Sequence, residues 1–205
     1  MALTTEAIQK QTDVQTIRGA LKVLLDVMNG PAHERLLNLY MVVVLLHWME
    51  HIVQAYQIFV LGWARPDAGG VFGLFLPWLL KTELLHWGYA VFMLAGLFIL
   101  LPGFAGRSRI WWMVSLAIQT WHFIEHSLLQ SQAILGTTWF GSTVPSSLVQ
   151  IWVPRVELHL FYNAAVFLPM VIAMYYHMYP PQHEAPIACT CSRRSPHRNK
   201  QHKAV

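Results

Sequence analysis

The chain has 205 residues, 55% of them hydrophobic and only 12% charged. Soluble domains are about one quarter charged, so this composition argues against a free soluble domain, a nucleic-acid binder and a disordered chain. The net charge of +4 is no nucleic-acid footprint, because five of the fourteen Lys and Arg crowd into the last thirteen residues. The two cysteines, Cys189 and Cys191, are one residue apart near the C-terminus and cannot staple a fold.

Residues 1–35 are polar throughout and lack the apolar stretch of a signal peptide. Within them, residues 12–28 read as an amphipathic helix. Val14, Ile17, Leu21, Leu24, Leu25 and Met28 share one face, with Arg18, Lys22 and Asp26 off it. Gly30-Pro31 ends it. It reads equally as a helix lying in the membrane interface and as one packed under the remaining helices.

Four apolar stretches follow, at residues 36–61, 74–101, 110–135 and 151–178. Each meets the requirement of about 20 residues at 1.5 Å rise for a bilayer crossing. Lys10, Arg18, Lys22 and Arg35 precede the first, Arg107 and Arg109 separate the second from the third, and the basic tail follows the fourth. The two remaining connections hold only Arg65, offset by Asp67, and Arg155. The positive-inside rule then places both termini in the cytoplasm. The expected architecture is all-α: an N-terminal amphipathic helix at 1–35, a four-span up-down-up-down bundle over 36–178 in a plasma or inner membrane, and a basic disordered tail at 179–205.

Charged side chains in hydrocarbon cost a few kcal/mol each. Between residues 36 and 178, Asp67 falls in a loop, and the other four acidic residues each lie within three residues of a histidine. The groups are His47-Trp48-Met49-Glu50-His51, Glu83-Leu84-Leu85-His86, His122-Phe123-Ile124-Glu125-His126 and Glu157-Leu158-His159, with Asn163 a turn later. The spacing between the two His-x-x-Glu-His units is the spacing between Gln57 and Gln132 as well. Lys81-Thr82-Glu83-Leu84 matches Arg155-Val156-Glu157-Leu158 at an offset one shorter. The pattern reads as an internal duplication of a helix pair.

Counted from the outer ends of the spans, all four groups fall in one layer, roughly 9–15 Å below the boundary at 1.5 Å per residue. His47, Glu50 and His51 share a helix face, as do His122, Glu125 and His126, and Glu83 and His86. Glu157 and His159 do not: two residues apart, they point about 200° from one another, so in a regular helix only one reaches the centre.

Six histidines and four carboxylates at one depth point to a metal site, with iron, zinc, copper or manganese compatible with imidazole and carboxylate. The expected ligands are His47, Glu50, His51, Glu83, His86, His122, Glu125 and His126, then Glu157, then His159, with Gln54 and Asn163 in support behind them. Their helix-by-helix order resembles the Glu, Glu-x-x-His, Glu, Glu-x-x-His pattern of four-helix di-iron carboxylate proteins. The chain departs from it in Glu157-x-His159 and in the extra His47, His51, His122 and His126. The histidine content is similar in chemistry to membrane desaturases and hydroxylases, whose box spacings differ. The resemblance implies two transition-metal ions, iron first and zinc second, that activate oxygen against a lipid or other apolar substrate. No flavin or nicotinamide fingerprint is present, so electrons would come from another protein.

Other readings stay open. His-x-x-Glu-His also matches the inverted zinc-peptidase motif, so a membrane zinc hydrolase is one. A haem held by His51 and His126 is another. A proton- or metal-ion transporter or channel component is a third, as is a subunit of a homo-oligomer or larger membrane complex. Glu–His pairs also serve as interhelical hydrogen-bonded glue. In the tail, Cys189 and Cys191 with His183 and His197 read as a flexible segment, a metal site or, for the cysteines, palmitate attachment.

Overall fold

The computed structural model describes residues 2–80 and 82–196; for residues 2–9, 11–13 and 80 the description is of backbone alone. Among the described residues there are helices and turns and no strand. The long helices are α1 (Ala2–Asn29), α2 (His33–Phe59), α5 (Glu83–Leu100), α6 (Gly106–Leu135) and α7 (Arg155–Met178). Two single turns, α3 (Phe72–Phe75) and α4 (Pro77–Leu80), lie between α2 and α5.

Three segments are long and apolar enough to cross a membrane: His33–Phe59, Glu83–Gly103 and Arg155–Met178. Helix α6 stands in the position of the expected third span. At thirty residues it has the length, but it is not among the segments apolar enough. The reason lies on its inner face, which buries Ser115, Gln119, His122, Glu125, His126 and Gln132. A helix that turns its polar groups inward is average in composition while still covered by apolar neighbours. The second expected span also changes. Residues 72–82 do not continue α5: they fold as two short turns, with Pro77 opening the second. Proline has no amide to donate and clashes with the carbonyl four residues back, which disfavours a single continuous helix here. Glu83 consequently sits in the first turn of its helix and not deep within a longer one.

Side-chain pairs fix how the helices lie. Between α5 and α6, Trp87 Nε1 donates to Ser127 Oγ (3.2 Å), Gln119 Nε2 to the Ala90 carbonyl (3.2 Å) and Trp112 Nε1 to the Leu97 carbonyl (2.8 Å). Numbers rise on one helix as they fall on the other, so the two run in opposite directions. Ser115 Oγ donating to Val166 O and Trp121 Nε1 to Tyr162 Oη set the same relation for α6 and α7. Tyr40 Oη donates to the Met93 carbonyl at 2.8 Å and ties α2 to α5. These bonds satisfy side-chain polar groups without water, as an apolar surrounding demands. Around them Leu37, Val44, Leu97, Trp112, Val166 and Met170 form a buried core.

The outside is the reverse of a soluble protein. Leu39 and Leu46 on α2, Phe98 on α5 and Leu168 on α7 are all more than 60% exposed. A soluble monomer rarely leaves such continuous apolar surface uncovered. Helix α1 exposes Ile17, Leu21 and Leu24 in the same way. It is tied at its C-terminal end, where Asn29 donates to the Ile99 carbonyl (2.9 Å) and accepts from the Gly103 amide (3.0 Å).

The expectation of a disordered tail does not describe residues 179–196. Residues Gln182–Ile187 form a 3-10 helix, and Cys191, Ser192 and Ser195 are buried. The Arg193 amide donates to the Met178 carbonyl at 3.1 Å, folding the tail back onto the end of α7. Tail composition alone carried no sign of this, because the contacts are with residues distant in sequence, such as His177 and Arg107. The basic residues Arg198, Lys200 and Lys203, and His197, lie outside the described residues.

Candidate metal centre

Four helices each bring histidine to one place. His47 and His51 lie a turn apart on α2, and His122 and His126 a turn apart on α6. Their Nε2 atoms approach pairwise, at 3.1 Å for His51 and His47 and 3.2 Å for His126 and His122. His86 comes from the first turn of α5 and His159 from the first turns of α7. The ring of His159 lies 5.7 Å from His51, 5.8 Å from His86, 5.6 Å from His122 and 4.9 Å from His126, centroid to centroid. His159 is therefore the hub, touching rings from all three other helices.

Hydrogen bonds orient these rings. His159 Nδ1 lies 2.9 Å from the Arg155 carbonyl, and His86 Nδ1 3.3 Å from the Thr82 carbonyl. A carbonyl only accepts, so Nδ1 carries the proton in both, and the Nε2 lone pair is left for another partner. Gln54 does the same for His51: its Oε1 lies 3.2 Å from His51 Nδ1, while its Nε2 donates to the Ala68 carbonyl at 2.7 Å. Asn163 donates to the His159 carbonyl at 2.8 Å. Backing of this kind is what ligating imidazoles normally have.

Three of the histidines come closest to a coordination site. One ring nitrogen from each of His122, His126 and His159 lies within 4.8 Å of the others, and all three residues are buried. His122 Nδ1, His126 Nδ1 and His159 Nε2 have no hydrogen-bond partner. A buried, unpaired polar atom costs about 1–3 kcal/mol. Interhelical glue would pair these atoms; three buried ring nitrogens left without partners in a single cluster mark it as a candidate binding site. Beside them lies a narrow cleft, part of it open to the surroundings. Val44, Trp48, Met93 and Phe167 line its apolar side, and Gln119 and Asn163 its polar side.

The four glutamates make their hydrogen bonds and ion pairs with other groups, although Glu125 shares a pocket with His122, His126 and His159. Glu83 makes a two-pronged ion pair with Arg155, at 2.5 and 2.6 Å. Glu157 pairs with Arg65 at 2.5 Å. Of Glu157 and His159, which cannot both face inward, it is the histidine that does, in the reverse of the expected ranking. Glu50 accepts from the Phe72 amide, and Glu125 from the Ser147 hydroxyl and the Val149 amide. Both hold the loop that follows their own helix. The buried glutamines work alongside: Gln57 exchanges two hydrogen bonds with Gly70, and Gln132 does so with Ser146. Loop backbone without helical bonding needs side-chain partners where it is buried, and these carboxylates and glutamines supply them.

Two residues of the cluster were not singled out from sequence. Tyr89 stacks on His47 at 3.5 Å, and Tyr162 lies 4.7 Å from the His122 ring. Each sits three residues after the histidine of its own helix, His86 and His159. That spacing on one helical face was the available signal.

Compared with protein-family models, curated proteins and solved structures, the chain matches none. What it does has to be argued from its own residues.

Proposed function

We propose that this chain is an integral membrane metalloprotein whose histidines hold a dinuclear transition-metal centre for oxygen-dependent oxidation of a lipid or other apolar substrate. The observation that carries the reading is the buried trio His122, His126 and His159, one ring nitrogen of each within 4.8 Å of the others, among apolar helices. These three residues would hold the first ion. His47 and His51, the matching residues of the earlier His-x-x-Glu-His unit, would hold the second with His86. Neutral imidazole suits iron, copper and zinc alike. Iron bound there would supply the redox chemistry, with electrons from a separate donor protein. The chain's own part is to orient the rings through Arg155, Thr82 and Gln54, and to offer an apolar substrate the cleft beside Trp48 and Phe167.

The membrane reading has α2, α5, α6 and α7 crossing together as an up-down bundle. Three of them are apolar enough alone, and α6 is carried by neighbours that cover its polar face. The exposed face of α1 then lies in the interface, and the Lys/Arg distribution puts both termini on the cytoplasmic side of a plasma or inner membrane.

Two other readings fare less well. A transport path needs polar lining toward both surfaces. Past the histidines, the interior toward the His33 end is filled by Tyr40, Leu97, Leu100 and Trp112, and the polar Ser115 and Gln119 spend their hydrogen bonds on Val166 and Ala90 carbonyls. A haem bridging His51 and His126 would need the space of His159, which touches both rings.

Elemental analysis of the detergent-purified chain tests the proposal. We expect bound transition metal in the wild type, loss of at least one ion per chain in His126→Ala, and retention in Glu83→Gln. Reductant-dependent oxygen uptake by the iron-loaded wild type, absent in His126→Ala, tests the chemistry. A metal-free wild type that cannot be loaded, with His126→Ala unchanged in stability, overturns it.

A further inference from the structure

A second group of metal-ligating side chains lies at the other end of the helices, about 14 residues or roughly 21 Å along α2 from His47. It draws on three parts of the chain. His33 comes from the first turn of α2, His177 from the last turn of α7, and Cys189 and Cys191 from beyond the 3-10 helix of the tail. One ligand atom from each lies within 4.8 Å of the other three. His177 Nε2 and Cys191 Sγ are 2.9 Å apart, and both cysteines are free thiols.

His33 is the telling residue. It is 0% exposed, and neither ring nitrogen makes a well-formed hydrogen bond, the Met28 backbone offering only a weak one. An imidazole always carries at least one N–H, so burying it without a well-formed hydrogen bond is costly. An apolar side chain of the same size would pack here at no such cost. The ring is nevertheless built in. It lies 5.7 Å from Phe104, edge on, and 5.2 Å from His177. Gly103 makes the room, since a Cβ there would run into the His33 ring. The tail that delivers the thiols is likewise held in place, by Arg193 on the Met178 carbonyl and Arg194 Nη1 on the Pro180 carbonyl at 3.2 Å.

We propose that His33, His177, Cys189 and Cys191 bind a zinc ion that clamps the tail to the ends of α2 and α7. Two thiolates and two neutral imidazoles are a tetrahedral zinc set, and the thiolates balance the charge of the ion. Four protein ligands leave no open position, so the role is structural. Sequence reading paired the same cysteines with His183 and His197. His183 is instead exposed and beside Glu184 at 3.7 Å, while His197 lies outside the described residues. The proposal is independent of the six-histidine layer, which contains no cysteine.

The test uses the full chain, purified in detergent with a reductant. Cobalt(II) loaded in place of zinc is expected to give the thiolate-to-cobalt charge-transfer absorption, which an all-histidine site cannot produce. Zinc is expected to slow alkylation of both cysteines at least tenfold, and a chelator to restore it. By elemental analysis, Cys189→Ser/Cys191→Ser loses one zinc per chain while His126→Ala keeps it. The cobalt and alkylation readings need no variant, so they hold even if the double variant fails to fold. Absence of the cobalt–thiolate absorption, or alkylation indifferent to zinc, overturns the proposal, as does preferential retention of copper over zinc at the site.

Discussion

The two halves of the molecule use one plan with different results. Glu50 and Gln57 on α2 hold the loop around Gly70 and Phe72, and their repeats on α6, Glu125 and Gln132, hold the loop around Ser146 and Val149. His86 and Tyr89 on α5 recur as His159 and Tyr162 on α7. Two residues separate Glu83 from His86, but only Leu158 separates Glu157 from His159, so the second half is one residue short at this point. With this shorter spacing Glu157 turns out toward Arg65 and His159 sits at the hub. The other difference is the tyrosine. In the first half Tyr89 stacks flat on His47 at 3.5 Å, while in the second Tyr162 is bound by Trp121 and meets His122 tilted at 4.7 Å. The second half thus keeps a compact trio of nitrogens, and the first keeps a pair. A shared plan fixes where the ligands come from, and single neighbours decide how tightly they gather.

The asymmetry can be broken from either side. The largest expected effect is His159→Ala, which removes the ring that touches histidines of all three other helices. Metal content should fall by at least one ion per chain, and equal retention in His159→Ala and wild type would make the hub role untenable. Next is Arg155→Ala, which strands Glu83 partly buried at 14% exposure. Removing one partner of a fully buried pair costs about 3–5 kcal/mol; solvent near the exposed arginine reduces that to roughly 2 kcal/mol, read as a lower denaturation midpoint. Gln132→Ala leaves the Ser146 and Trp139 amides without their acceptor, at about 1–3 kcal/mol, and should open that loop to proteolysis. Its first-half counterpart, Gln57→Ala, should do the same to the Gly70 loop, and a loop insensitive to either change would dissolve the parallel. Gln54→Ala acts on one ion only: affinity at the His47–His51 pair should drop about 10–100-fold, with the His122 trio unaffected. The smallest effect belongs to Arg65→Ala. Its pair with Glu157 is 54% and 30% exposed, so the loss should be under about 1 kcal/mol.

How much of this was legible in advance differs from residue to residue. The apolar runs containing α2 and α7 and the inward polar face of α6 follow from spacing, because hydrocarbon tolerates few polar groups and helical geometry gathers those at i, i+3 and i+4 onto one side. The six histidines could be chosen for the same reason. The glutamates could not be told apart from them: Glu125 shares its helix face with His126, and only the path of the loop at Ser147 and Val149 draws it away. The break before Glu83 was signalled by Pro77, yet an uninterrupted apolar composition masked it.

By itself the amino-acid order determined that the chain is helical, apolar outside and histidine-bearing within, since those properties depend on neighbours three or four residues away. Tertiary structure alone decided which polar groups meet. His33 opens the first span and Cys191 follows the last, and nothing local links them. Only the return of α7 to the start of α2, and of the tail to α7, places them within ligand distance of one ion.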